Sequence, residues 1–289
     1  MSTKVAVVTG SNKGIGLAIV RALCQKFQGD VVLTARDESR GQEAVKELEK
    51  ENLHPKFHPL DVSDHESVVK LRDFLQRQYQ GLDVLVNNAG IAYQKDAGFS
   101  FAEEVEGTCK VNFFAPLDVC TVLSPLLRPH ARVVNVSSMA SQVCLTRCSE
   151  SLQNRFTDPA LSMDELVALM NSFVQSAKDG TTESLGFPAN SYFTSKLGTT
   201  VMSMIQQREM DKARGVETDI IVNACCPGFV STDMTKHKGR LTPDQGAETP
   251  VYLALLPPGT TSPRGKFIRE KEISPWDPHA HIPLPSVAK

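Results

Sequence analysis

Short apolar runs alternate along the chain with longer stretches in which apolar residues recur every three or four positions, a rhythm that predicts strands interleaved with helices. Val5 to Thr9 is a β-branched run ending in Gly10-Ser11-Asn12-Lys13-Gly14-Ile15-Gly16, and Leu17 to Phe27 then follows a helical period. Val31 to Ala35 predicts a second strand that ends at Arg36. Ala44, Val45 and Leu48 place a helix between Ser39 and Leu53, and Phe57 to Leu60 is a third strand ending in Asp61. Asp64 is a candidate cap for a helix whose buried stripe is Val68, Leu71, Phe74 and Leu75. Leu82 to Val86 is the next strand and delivers Asn87-Asn88-Ala89-Gly90. Phe101 to Leu127 reads as one or two helices with Asn112 in an apolar setting, and Arg132 to Val136 as a fifth strand ending in Ser137-Ser138.

From Ser138 the chain runs 54 positions to Tyr192, more than a strand-to-helix connection needs. Ser162-Met163-Asp164-Glu165 has the form of a helix start, and Leu166, Leu169, Met170 and Phe173 form a stripe behind it. Residues 141–187 are therefore expected to be a helical insertion within one domain spanning 1–289. A helix from Tyr192 to about Met210 comes next, then a buried strand from Asp219 to Ala224 leading into Cys225-Cys226-Pro227-Gly228-Phe229-Val230-Ser231-Thr232. Glu248 to Leu255 predicts a helix and Lys266 to Arg269 a last short strand. Beyond Ser274, four prolines predict an extended or mobile tail over 274–289.

Composition narrows the classes. In 289 residues, 41% hydrophobic content supplies a substantial core, and a net charge of −2 with both signs interspersed gives no broad basic field for nucleic acid or an anionic membrane. No run reaches transmembrane length, and the apolar start is too soon interrupted by Gly10 for a signal peptide. Seven irregularly spaced cysteines argue for a reducing compartment, so a cytoplasmic location is expected. No metal site is expected.

Two stretches carry candidate chemistry. The glycine turn sits between a strand and a helix, where backbone can approach a phosphate and the helix N-terminus offers free N–H groups to a pyrophosphate. Its spacing is Gly-x-x-x-Gly-x-Gly, not the commoner Gly-x-Gly-x-x-Gly. At the end of the second strand Ala35-Arg36 stands where an NAD site would carry an acid, and Lys13 adds a second cation, so NADP(H) is favoured over NAD. Farther on, Tyr192 and Lys196 lie four apart, on one face of a helix. A cation near the phenol is expected to draw its pKa towards neutrality and fit it for proton transfer. Taken alone, that pair is a common coincidence. Cys225 and Cys226 read as buried packing residues or as a reactive thiol beside the pocket.

Taken in order, the glycine turn, Asn87-Asn88-Ala89-Gly90, Ser138, Tyr192-x-x-x-Lys196 and Pro227-Gly228 resemble the short-chain dehydrogenase/reductase family from Val5 to Ile268. The long segment before Tyr192, the Cys-Cys-Pro-Gly sequence and the two cations are most similar to its cytosolic carbonyl reductases. The resemblance implies a doubly wound parallel sheet, a Rossmann-like fold, and NADPH-dependent reduction of ketones, aldehydes and quinones, with prostaglandins or keto-steroids among the possible substrates. It implies a monomer, the insertion covering faces that relatives use for tetramer packing. By the same resemblance Tyr192 is the general acid, Ser138 holds the carbonyl, Lys196 tunes Tyr192 and holds the nicotinamide ribose, and Asn112 orders a water relay to Lys196. Gly10, Asn12, Lys13, Gly14, Ile15, Gly16 and Arg36 would cradle the cofactor phosphates. Asp61 would meet the adenine, Asn88 the middle of the cofactor, and Pro227, Gly228, Val230 and Thr232 its nicotinamide end. Met139, Phe229 and Met234 would line the substrate pocket, where Phe229 departs from an expected tryptophan. The rival reading is a cofactor-binding sensor that keeps the fold without useful catalysis.

Overall fold

The computed structural model describes residues 3–94 and 98–280. Eight strands form one sheet: β1 (Val5–Val8), β2 (Asp30–Ala35), β3 (Lys56–Pro59), β4 (Leu82–Asn87), β5 (Leu127–Val136), β6 (Ile221–Cys226), β7 (Phe267–Arg269) and β8 (Glu272–Ile273). Their spatial order is 3-2-1-4-5-6-7-8. All pairings are parallel except that of β7 with β8. The doubly wound expectation holds. Strand order reverses between β1 and β4, and the crevice beyond their carboxyl ends is where ligands bind in open sheets of this kind.

Both faces of the sheet are covered at its centre, which is why β1, β2, β4 and β6 are mostly apolar instead of alternating, whereas β3 and β8 are partly or fully exposed. Ala6 and Val8 face a cluster completed by α1 (Gly14–Lys26), α2 (Glu38–Glu49) and α10 (Pro243–Ala254), including Leu17, Ile19, Leu48 and Val251. Val5 and Val7 face the other way, onto Val68, Leu71 and Leu75 of α3 (His65–Tyr79) and Val119 and Leu123 of α5 (Ala115–Leu123). A third cluster lies off the sheet. It joins α4 (Phe101–Cys109) and α9 (Ser191–Arg214) to the three helices α6 (Ala140–Arg147), α7 (Glu150–Thr157) and α8 (Met163–Asp179) through Phe113, Phe156, Met170, Phe173 and Leu197. Ser162 and Glu165 form the capping box expected at the start of α8.

Several boundaries differ from expectation for identifiable reasons. Between α4 and α5, the Phe101–Leu127 stretch widens into one π-helical segment, Lys110–Phe114, centred on Asn112. α10 begins at Pro243, not at Glu248, because Thr242 and Gln245 cap it reciprocally and Pro243 fits the first turn. α9 runs on to Arg214. The described part of the tail takes no helix or strand beyond Ser274, but it is anchored to the body of the protein. Gln142 donates to the Ser274 hydroxyl and the Pro275 carbonyl at 2.9 and 2.7 Å. Trp276 packs on Phe267 and donates from its indole to the Phe156 carbonyl at 3.1 Å. Residues 281–289, with Pro283 and Pro285, lie outside the described residues.

Candidate active site

The glycine turn is shaped by close approach. Gly10 and Gly14 both have φ +58°, a left-handed conformation that favours glycine. A Cβ on Gly16 would stand 2.5 Å from the Asn88 amide nitrogen and 2.6 Å from the Gly10 carbonyl oxygen. Asn88 itself is occupied with holding this turn. Its side chain donates to the carbonyls of Thr9 (3.0 Å) and Gly10 (2.9 Å), while the amides of Asn88 and Ala89 both donate to the Thr9 hydroxyl at 3.0 Å. The end of β4 is thus stapled to the end of β1. Thr9, a strand-end hydroxyl with two amides in reach, was not among the expected site residues.

The residues present fit a dinucleotide. α1 starts at Gly14 with no side-chain cap and no acidic residue in its first turn, leaving free N–H groups and the positive dipole end for a pyrophosphate. Asn12 and Ile15 are half-buried in the turn, the latter packed on the α1–α10 cluster. Arg36, exposed at the end of β2, faces Asp61 across the ends of β2 and β3. Burial opposes the Asp61 charge, but the hydroxyl and amide of Ser63 and the charges of Arg36 and Lys110 hold it below its ordinary pKa. Lys13 does not stand free beside Arg36. It pairs with Asp233 at 2.5 Å, a residue absent from the expected set although it directly follows Thr232.

The candidate proton-transfer groups converge from three elements. α9 starts one residue before Tyr192 because Asn190 caps it, accepting from the Phe193 amide at 2.9 Å. That start places Tyr192 and Lys196 on one face, the ammonium 5.9 Å from the ring centroid. Lys196 is buried and donates to the Val136 carbonyl at the end of β5 at 2.8 Å. Ser138 follows on the same strand end, its Oγ accepting from the Ala140 amide at 3.1 Å. Asn112, buried in the π-helical segment, accepts from the Ile91 amide (2.8 Å) and donates to the Ile91 carbonyl (2.9 Å) and to Ser195 Oγ (3.0 Å). A π-bulge at such a position is a recurrent device of functional sites. Gly90 shows how close the groups come: a Cβ there would lie 3.3 Å from Asn112 Oδ1 and 3.5 Å from Lys196 Nζ.

The electrostatics correct one expectation. Burial pushes the Tyr192 phenol up to about 12, with the Ser138 hydroxyl working in the opposite direction. Burial likewise draws Lys196 down to about 8. In the cofactor-free protein desolvation therefore dominates at the phenol, which holds its proton at neutral pH.

The loop after β6 forms the other wall. Gly228 has φ +84°, and its amide donates to Cys226 Sγ at 3.3 Å. Cys225 and Cys226 are buried and their thiols are raised by burial, so they serve as packing and turn-pinning groups. Val230 is buried, bridged to Leu241, whereas Phe229 and Met234 are exposed at 44% and 38% and available to a substrate. Met139 is half-buried beside Cys226 and Phe267. Gln94, also unexpected, donates from its side chain to the Met234 carbonyl at 3.0 Å and joins the loop after β4 to this wall. Among the described residues no cluster could hold a metal ion, no cysteine is paired, and no helix is long and apolar enough to cross a membrane.

Comparison with known proteins agrees with this geometry. A family model described as short chain dehydrogenase matches residues 4–149. NADPH carbonyl reductase 3 of Rattus norvegicus is 52% identical over 95% of this chain and 99% of its own. NADPH carbonyl reductase 1 of Homo sapiens is 52% identical over 94% and 98%. Among solved structures, salutaridine reductase from Papaver somniferum superposes with a TM-score of 0.81 at 31% identity, covering 91% of this chain and 99% of that one. Menthone neomenthol reductase from Mentha piperita gives 0.78 at 29%, covering 94% and 100%.

Proposed function

The chain belongs to the short-chain dehydrogenase family, and from that premise we propose that it is an NADPH-dependent carbonyl reductase in which Tyr192, Ser138, Lys196 and Asn112 carry the chemistry. The observation that carries the assignment is their convergence beside the glycine turn, at the reversal of strand order. Bound NADPH supplies a hydride to the carbonyl carbon. The α1 N-terminus and the glycine turn would hold its pyrophosphate, Arg36 and Lys13 its 2′-phosphate, Asp61 its adenine, and Val230, Thr232 and Lys196 its nicotinamide end.

As the oxygen of the substrate gains negative charge, a proton must reach it, and Tyr192 is placed to give one. A phenol raised to about 12 is fully protonated at neutral pH, the state a general acid requires. Ser138 donates a hydrogen bond to the same oxygen and stabilises the developing charge. Lys196, close to half-titrated just above neutrality with its value near 8, holds a proton that can restore Tyr192. Asn112 Oδ1 and Lys196 Nζ both lie beside Gly90, and Asn112 would order the water that completes that route. Phe229 and Met234, exposed on the loop after β6, would offer an apolar wall suited to ketones, aldehydes and quinones and to larger prostaglandin or keto-steroid frames, with Met139 packed beside Cys226. We place the protein in the cytoplasm as a monomer, a reading supported by seven unpaired cysteines and by the helices that cover the outer side of α9.

The test is NADPH oxidation with an aromatic aldehyde, menadione and a keto-steroid, each repeated with NADH. Turnover is expected with NADPH, and Tyr192→Phe is expected to lower it by about 10²-fold or more while NADPH still binds. Normal turnover by Tyr192→Phe overturns the proton-donor assignment. An NADPH preference of roughly threefold or less overturns the cofactor assignment to Arg36 and Lys13.

A further inference from the structure

One of the two cations assigned to the cofactor already holds an anion that the chain itself supplies. Asp233 Oδ2 lies 2.5 Å from Lys13 Nζ, and Lys13 is the residue from which α1 starts. The turn that carries Asp233 is held by Thr235, whose hydroxyl donates to the Val230 carbonyl at 2.7 Å and accepts from the Thr232 amide at 3.1 Å. Thr232 Cγ2 stands 3.4 Å from the position a Cβ on Gly14 would take, and the Met234 carbonyl accepts from Gln94 at 3.0 Å. The second carboxylate oxygen of Asp233 meets His237 Nε2 at 3.2 Å. A carboxylate therefore sits on one of the two cations assigned to a phosphate.

A phosphate and a carboxylate that share one ammonium repel each other, so Lys13 cannot serve both at full strength. We propose that Asp233 is an internal competitor for Lys13, a residue that sets NADP(H) affinity by neutralising the cation in the empty protein and giving it up when the 2′-phosphate arrives. The inference rests on the NADPH reading above. It assigns Asp233 the opposite role from a strap: the carboxylate weakens cofactor binding and hastens release. Lys13 and Asp233 side chains are 62% and 61% exposed, so solvent screening limits the effect to a change of about two- to fivefold.

The experiment measures dissociation constants for NADPH and NADH by cofactor fluorescence on the full chain and on Asp233→Asn, Lys13→Ala and the double variant. Asp233→Asn keeps the side chain's size and is expected to bind NADPH about two- to fivefold more tightly, with slower release and a smaller change for NADH, which lacks the 2′-phosphate. The gain is expected to shrink as salt is raised and to vanish in the Lys13→Ala background. Unchanged or weaker NADPH binding by Asp233→Asn overturns the inference and makes Asp233 a strap. Equal tightening with and without Lys13 overturns it as well, since the effect is then one of bulk charge. Failure of all four proteins to bind NADPH overturns the cofactor reading itself, a result distinct from binding that ignores Asp233.

Discussion

Lys196→Met is expected to make the empty protein more stable at neutral pH while abolishing turnover. Burial lowers Lys196 from 10.5 to about 8, and at about 1.4 kcal/mol per pKa unit the charged form costs the fold about 3 kcal/mol. Methionine removes that cost, but also the 2.8 Å bond to the Val136 carbonyl, a loss of about 1–2 kcal/mol. The net gain at pH 7 is about 1–2 kcal/mol, or roughly 2–3 °C in a chain of this length. The pH dependence separates the two contributions. Because the folded value lies below the unfolded one, the unfolded state binds more protons between about 8 and 10.5, and wild-type stability rises through that window relative to the variant. The variant's advantage should therefore disappear by the upper end of the window and reverse, leaving only the missing hydrogen bond. Thermal unfolding of both cofactor-free proteins from pH 7 to 10.5 measures this. Parallel curves across that range would refute the claim that an ammonium is held buried at a cost for the sake of the reaction.

Gly16→Ala places a methyl 2.5–2.7 Å from the Asn88 amide nitrogen, the Gly10 carbonyl and Ser11 Cα, two of them backbone. The staple between β1 and β4 must shift, so NADPH affinity should fall by about tenfold or more with about 2 kcal/mol of stability, read by cofactor fluorescence and thermal melting. Asp219→Asn tests the polar knot at the far end of β5 and β6, where Arg132, 2% exposed, bonds to Asp219 and to the Leu256 and Pro257 carbonyls. Asparagine tolerates the left-handed φ of +53° at this position, so the substitution isolates the charge and should cost about 3 kcal/mol at pH 7. Burial opposes the Asp219 charge, but bonds from His130, Gly259 and Arg132 hold its pKa below the ordinary value. That contribution is present above the unfolded value near 3.8 and is lost as pH falls through the folded one, so the gap between wild type and variant should close in acid unfolding curves.

The parts of this molecule that sequence disclosed are those where one physical requirement leaves one pattern. Strands buried on both faces must be apolar throughout, which exposed β1, β2, β4 and β6, and a turn under a phosphate must be small, which exposed Gly10 to Gly16. What stayed hidden depends on distance in space. Lys13 and Asp233 are 220 positions apart, and Gln94 and Met234 are 140. Neither pair has a local signature. The pKa expectation failed for a related reason: the spacing of Tyr192 and Lys196 reports their proximity, but the depth at which α9 buries both is set by elements far along the chain. Prolines after Ser274 suggested a loose tail because proline opposes regular structure, yet Trp276 needs only one apolar partner and one carbonyl acceptor, and it finds Phe267 and Phe156.

The helices α6 and α8 explain how α9 can hold buried polar groups in register. Gly198, two residues past Lys196, lets Met170 of α8 and Phe113 press against the helix: a Cβ there would meet the Met170 sulfur and the Phe113 ring at 2.8 Å. Cys144 of α6 meets the hydroxyl of Thr194 at 3.4 Å, between Tyr192 and Lys196 in sequence. Thr199 closes the arrangement from below by donating to the Asn112 carbonyl at 2.7 Å, satisfying an acceptor in the widened π-helical turn. The outward side of α9 is thus packed by the same helices that lengthen the chain between Ser138 and Tyr192. Rotation of α9 by even part of a turn would break these contacts before it moved the phenol out of line with Ser138. The apolar cluster that α6, α7 and α8 build against α9 stabilises the position of a lysine that is itself unfavourable where it sits, and so keeps Tyr192 and Lys196 aligned.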